Sequence, residues 1–153
     1  MPIPRLSRVS YGSTAAIVTS MALIAGLDAA GSAKSTVIAA LLIAALADNL
    51  TDSLSVHIYQ ESEQLQEREA FIGTLSNFAT RLIGCLTFVA LVALVPRRAI
   101  VTAAVSWGMA LLAVLTSLLA REREVGIAGE VAKHLLAAAV VIAISRWIAA
   151  LIV

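Results

Sequence analysis

The sequence predicts an all-α integral membrane protein of five transmembrane helices, and two observations carry that prediction. The chain of 153 residues is 60% hydrophobic and only 14% charged, more apolar side chain than a soluble domain of this size can bury. The apolar residues fall into five long segments, at about 13–30, 36–58, 71–95, 99–120 and 133–153, separated by short charged clusters. A bilayer core takes about 20 helical residues at about 1.5 Å each, and these segments are of that order. The five spans form a single domain covering the whole of 1–153.

Met1 to Ser10 reads as an irregular lead-in, with Pro2, Pro4, Arg5 and Arg8 placing positive charge at one membrane face. The first segment is longer than the apolar core of a signal peptide and holds Thr14, Thr19 and Ser20. It is therefore read as a span. Its Ala15, Ala16, Ala22, Ala25 and Gly26 permit close helix contact, and self-association through this helix is expected.

The second segment organises the chain. Val37 to Leu46 contains no Gly, Pro or charge, and helical geometry continues from it into Asp48-Asn49-Leu50-Thr51-Asp52-Ser53-Leu54-Ser55-Val56-His57. To cross the membrane, this helix has to include Asp48 and Asp52. Carboxylates inside a bilayer are expensive and mark ion or proton paths or buried pairs. Asp48 and Asp52 are one turn apart, so both are expected to face one site, with Asn49, Ser55 and His57 alongside. A 60–69 link follows, in which Glu61, Glu63, Glu67 and Glu69 surround Arg68. Oxygen ligands of this kind could collect divalent cations on the cytoplasmic side, or form a solvated helix end.

The third segment ends at Pro96-Arg97-Arg98 and carries Gly73, Asn77, Thr80, Arg81 and Gly84 at helical spacing, one stripe of small and polar residues. Counting back from Val95 places Arg81 roughly 8 Å inside the face at which the second segment exits, while Asp52 and Asp48 lie at roughly 5 and 10 Å. An intramembrane pairing of Arg81 with one of the two aspartates follows, with Asn77 beside it, because buried charges are normally paired. The fourth segment carries little polarity, and Trp107, deep within it, is read as packing. The fifth begins near Lys133 and His134, and Arg146 can reach the far interface from near its end.

Five spans put the ends of the chain on opposite sides. With the N-terminus inside, Arg5, Arg8, Arg68, Arg121, Arg123 and Lys133 are cytoplasmic, against Lys34, Arg97 and Arg98 outside. The positive-inside rule favours N-in, C-out. A net charge of +1 gives no field for nucleic acid, and the partner is the lipid bilayer. Cys85, the single cysteine, makes no intramolecular disulfide, and no Cys/His spacing forms a zinc site. No enzyme is expected, since no Ser/His or metal-protease signature is present.

The five-span plan with a charged second helix resembles the vacuolar iron transporter family, including its nodulin-like members. Met21-Ala22-Leu23-Ile24-Ala25-Gly26-Leu27 resembles the family's first helix, and His57-Ile58-Tyr59-Gln60-Glu61-Ser62-Glu63 the end of its second. Leu118 to Ala132, followed by Ser145-Arg146-Trp147-Ile148-Ala149-Ala150-Leu151, resembles its last two helices. The short link matches members without the large cytoplasmic metal-binding domain. The chain departs from the family where Tyr11-Gly12-Ser13-Thr14 stands in place of Ser-Asp-Gly, and where Asp52 replaces a methionine and Ala44 a glutamate. Hard carboxylates thus stand where the family has a soft sulfur ligand. The resemblance implies a homodimer with its pore between subunits and an exchange of divalent metal for protons that removes metal from the cytosol. The function expected is proton-coupled transport of manganese or iron, with the metal as cargo and no permanently bound cofactor. The alternative is a membrane scaffold or assembly subunit in which Asp48, Asp52 and Arg81 neutralise one another. The location expected is the cell membrane in a prokaryote, or a vacuolar or other organelle membrane in a eukaryote.

Overall fold

A computed structural model describes residues 6–62 and 67–152. Five helices occupy nearly all of them: α1 Leu6–Ala29, α2 Lys34–Ser62, α3 Glu67–Leu94, α4 Ile100–Glu122 and α5 Ile127–Ile152, with a short 3-10 turn at Arg97–Ala99 before α4. Four stretches, Lys34–Tyr59, Phe71–Leu94, Arg97–Glu122 and Ile127–Ile152, are long and apolar enough to cross a bilayer; the apolar part of α1, Ser13–Ala29, is shorter. The chain is an all-α membrane protein.

The helices extend beyond several sequence-based bounds. Leu6 to Ser10 was assigned to an irregular lead-in but is helical, because no Pro or Gly follows Pro4 until Gly12. Likewise α3 begins at Glu67 and α5 at Ile127, so Gly129 lies within the first turn rather than in a loop. Successive helices joined by links this short run antiparallel. Leu6 and Ile152 therefore stand at opposite ends of the bundle. The end at which α2 finishes, α3 begins and the 123–126 link lies is called inner, the cytoplasmic side in the expected topology.

At the centre stands α1, which touches each of the other four helices. Its Met21, Ile24 and Ala25 are buried against Leu41 of α2, Phe88 and Val92 of α3, Ala104 and Leu112 of α4, and Ala138 and Ile142 of α5. Several of the small residues of α1 are used within the chain, while Ala15 is exposed. Ala16 and Ala25 are buried inside the chain, and a methyl at Gly26 is 3.4 Å from the Ser145 carbonyl oxygen, so these residues let α1 sit between its own neighbours. In lipid such contacts hold by dispersion and fit rather than by exclusion of water. Fit is tightest where α4 crosses α1. A methyl at Gly108 lies 2.6 Å from Cγ of the fully buried Met21. Gly108→Val is therefore expected to destabilise the bundle by about 1–3 kcal/mol through overpacking, read as a lowered thermal midpoint in detergent. Trp107 beside it donates from Nε1 to Thr87 Oγ1 at 3.1 Å, tying α4 to α3.

Two cations lock the outer end. Lys34 Nζ donates to the carbonyls of Ala93 (2.7 Å) and Val95 (3.1 Å) at the end of α3, and Arg97 donates to those of Gly31 (3.2 Å) and Ser32 (2.9 Å) after α1. Lys34 meets carbonyls at the C-terminal end of α3, where positive charge is favoured, and Arg97 meets those of the turn that follows α1. The α1 terminus turns through Gly31 at φ 71, with Ser32 N–H bonded to Leu27 O at 2.9 Å and Gly31 N–H to Asp28 O at 3.0 Å. The α4 terminus makes the same turn with the wrong residue: Glu124 sits at φ 55, Val125 N–H reaches Ala120 O at 3.0 Å, and Glu124 N–H reaches Arg121 O at 3.2 Å. A side chain in this left-handed region costs roughly 1–2 kcal/mol. Since Glu124 is exposed, Glu124→Gly is expected to stabilise the chain by about 1 kcal/mol. Thermal unfolding should show a rise, and an unchanged or lower midpoint contradicts the turn.

Candidate intramembrane site

The polar residues of α2 and α3 meet along one seam. Antiparallel packing places Asn49 against Arg81, whose Nε donates to Asn49 Oδ1 at 2.9 Å. Arg81 Nη1 forms an ion pair with Asp52 Oδ2. The Arg81 side chain is only 4% exposed, whereas that of Asp52 is 44% exposed. One turn toward the inner end, Ser53 and Asn77 are buried, and His57 follows half-buried on α2. One turn toward the core, Ser20 of α1 donates to Cys85 Sγ at 3.9 Å. Asn49 Nδ2, Ser53 Oγ and Asn77 Nδ2 are buried without a hydrogen-bond partner among the described residues.

The expected pairing of Arg81 with an intramembrane aspartate is thus present, and Asp52 is the partner. Asp48, expected to share one site with Asp52, makes no contact with Arg81 among the described residues. Asn49 points to the centre of the α2–α3 contact; at 3.6 residues per turn, Asp52 lies about 60° and Asp48 about 100° from that direction. Asp52 is near enough to reach inward. Asp48 is exposed and makes no ion pair or hydrogen bond among the described residues. Ser55 is exposed with it, and its hydroxyl donates back to the Thr51 carbonyl at 3.0 Å, as Thr51 does to Ala47 at 2.9 Å.

Within the seam Asn49 Oδ1 and Asp52 Oδ2 are both engaged by Arg81, and the buried atoms without a hydrogen-bond partner among the described residues include two amide nitrogens and a hydroxyl, chiefly donors. Among the described residues no group of three His, Cys, Asp or Glu is placed to hold a metal. Of the acidic collecting site, Glu63 lies outside the described residues, as do the side chains of Glu61, Glu67 and Glu69. Sequence reasoning passed over Ser53, Ser20 and Cys85. Their signal was a four-residue spacing: Asn49, Ser53 and His57 on α2, and Asn77, Arg81 and Cys85 on α3. Compared with protein-family models, curated proteins and solved structures, the chain has no match.

Proposed function

We propose that the chain transports a divalent cation, manganese or iron, out of the cytosol in exchange for protons, with Asp48 as the carboxylate that alternately holds cation and proton. The supporting observation is the position of Asp48: exposed on a membrane-spanning helix, and without an ion-pair partner among the described residues. At a depth of about 10 Å a carboxylate facing lipid is costly, and such groups are retained where they contact an ion, a proton path or a partner. One carboxylate is half of a divalent site. In a homodimer whose copies meet on the α2 face, two Asp48 side chains supply both halves, and a bound metal relieves the repulsion between them. The α2 face, which carries Asp48, takes the place of α1 in this assembly, since Ala16, Ala25 and Gly26 of α1 pack within the chain. The resemblance to vacuolar iron transporters supports the ion class, and the site belongs in a cell membrane or, in a eukaryote, a vacuolar or other organelle membrane.

Liposomes carrying the purified protein test this by uptake scanned over manganese, iron, cobalt, zinc and magnesium. Movement of manganese or iron above protein-free liposomes supports the proposal; no movement of any ion rejects it. A second reading, a membrane scaffold or assembly subunit, draws on the Arg81–Asp52–Asn49 group, whose charges are already satisfied.

A further inference from the structure

We infer that the seam between α2 and α3 is a hydrated polar half-channel: water enters it from the inner end, is held by Asn77, Ser53, Asn49 and Arg81, and stops at Cys85 beneath an apolar plug. Three buried polar atoms without partners among the described residues, Asn49 Nδ2, Ser53 Oγ and Asn77 Nδ2, stand on two successive levels of one seam. Stranding a buried donor costs about 1–3 kcal/mol in a soluble protein, and lipid offers no substitute partner. Three such losses in one place are avoided if water reaches them, and water bridges buried polar groups routinely.

The neighbours of the seam decide what enters. Arg81 and Asp52 cancel in charge within the seam, and a bare cation there meets donors rather than acceptors. An added anion leaves the group with a net buried negative charge. Neutral water, which accepts from the amides and both donates to and accepts from the hydroxyl, fits both conditions. The half-exposed Asp52 carboxylate already connects Arg81 to the surface. Toward the outer end the polarity stops. Beyond Cys85 the next buried residues of α3 are Phe88 and Val92, packed with Leu41 of α2 and Met21 and Ile24 of α1, and an apolar region of this kind stays dry. Hydration therefore ends about halfway through the membrane. The inference does not depend on the transport proposal, since a hydrated seam can exist in a scaffold as well.

Cys85 provides a native reporter at the blind end. Iodoacetamide, a small neutral water-soluble reagent that alkylates thiols, is added to the inner side of membranes holding the full-length chain, and the thiol left unreacted is titrated after denaturation. Cys85 should react at least about ten-fold faster than the thiol of a Cys85→Ala, Val92→Cys chain, whose cysteine lies in the dry plug. Asn77→Leu, which replaces a water-holding amide with an apolar side chain, should slow Cys85 by about ten-fold. If Asn77→Leu does not fold, Ser53→Val serves in its place, and the unmodified chain can be read without either. Equal rates for Cys85 and the Val92 position, or a Cys85 rate unaffected by both blocking changes, overturn the half-channel. Because the readout is thiol chemistry, silent liposomes in the uptake scan do not affect it.

Discussion

Asp52→Asn should cost the fold about 3 kcal/mol, the lower end of what removing one partner of a buried ion pair costs. Asparagine keeps nearly the same shape and removes the charge. Arg81, only 4% exposed, is then left with Asn49 Oδ1 as its main acceptor inside a membrane helix pair. The 44% exposure of Asp52 keeps the loss at the low end, because part of its charge is already screened. Arg81→Gln should cost less than Asp52→Asn, since the carboxylate it leaves behind can draw water from the inner end. The double variant should recover most of the loss, a coupling between contacting residues that independent sites do not show. Thermal unfolding of the parent, both single variants and the double variant measures this directly. An Asp52→Asn chain as stable as the parent would remove the ion pair from the account of the fold.

The opposite pattern is expected one turn deeper. Asp48→Asn should leave stability within about 0.5 kcal/mol of the parent, because Asp48 is exposed and holds no partner among the described residues. Its effect should fall on ion movement, which should drop to the level of protein-free liposomes, since an amide takes up neither the proton nor the charge of a metal ion. Association should change as well. Two carboxylates facing across an interface repel, so Asp48→Asn should strengthen the dimer at neutral pH in detergent without added metal. A strongly destabilised Asp48→Asn chain contradicts the exposed placement.

These contrasts show what the sequence could supply. The five segments were legible because about 20 apolar residues in a row have few uses outside a bilayer, and the matching depths of Arg81, Asp48 and Asp52 followed from rise per residue alone. Which aspartate pairs with Arg81 was not legible. It depends on the direction in which α2 faces α3, fixed by Asn49, and a rotation of a few tens of degrees decides which carboxylate reaches inward. The role of the small residues of α1 was equally hidden. Alanine and glycine permit close approach without naming the neighbour, and only the packing shows that Gly26 meets α5 and that Met21 fills the space over Gly108. Helix ends were misplaced where a glycine such as Gly129 was read as a loop, although continuing hydrogen bonds kept the residue helical.

The central claim is that Asp48 exchanges a metal ion for protons, and simultaneous recording of manganese uptake and internal pH in liposomes carrying either the parent or the Asp48→Asn chain tests it most directly. The account predicts manganese entry with proton exit for the parent and neither for Asp48→Asn at equal protein content and equal thermal stability. Manganese uptake that persists in Asp48→Asn, or uptake by the parent with no movement of protons, would contradict it.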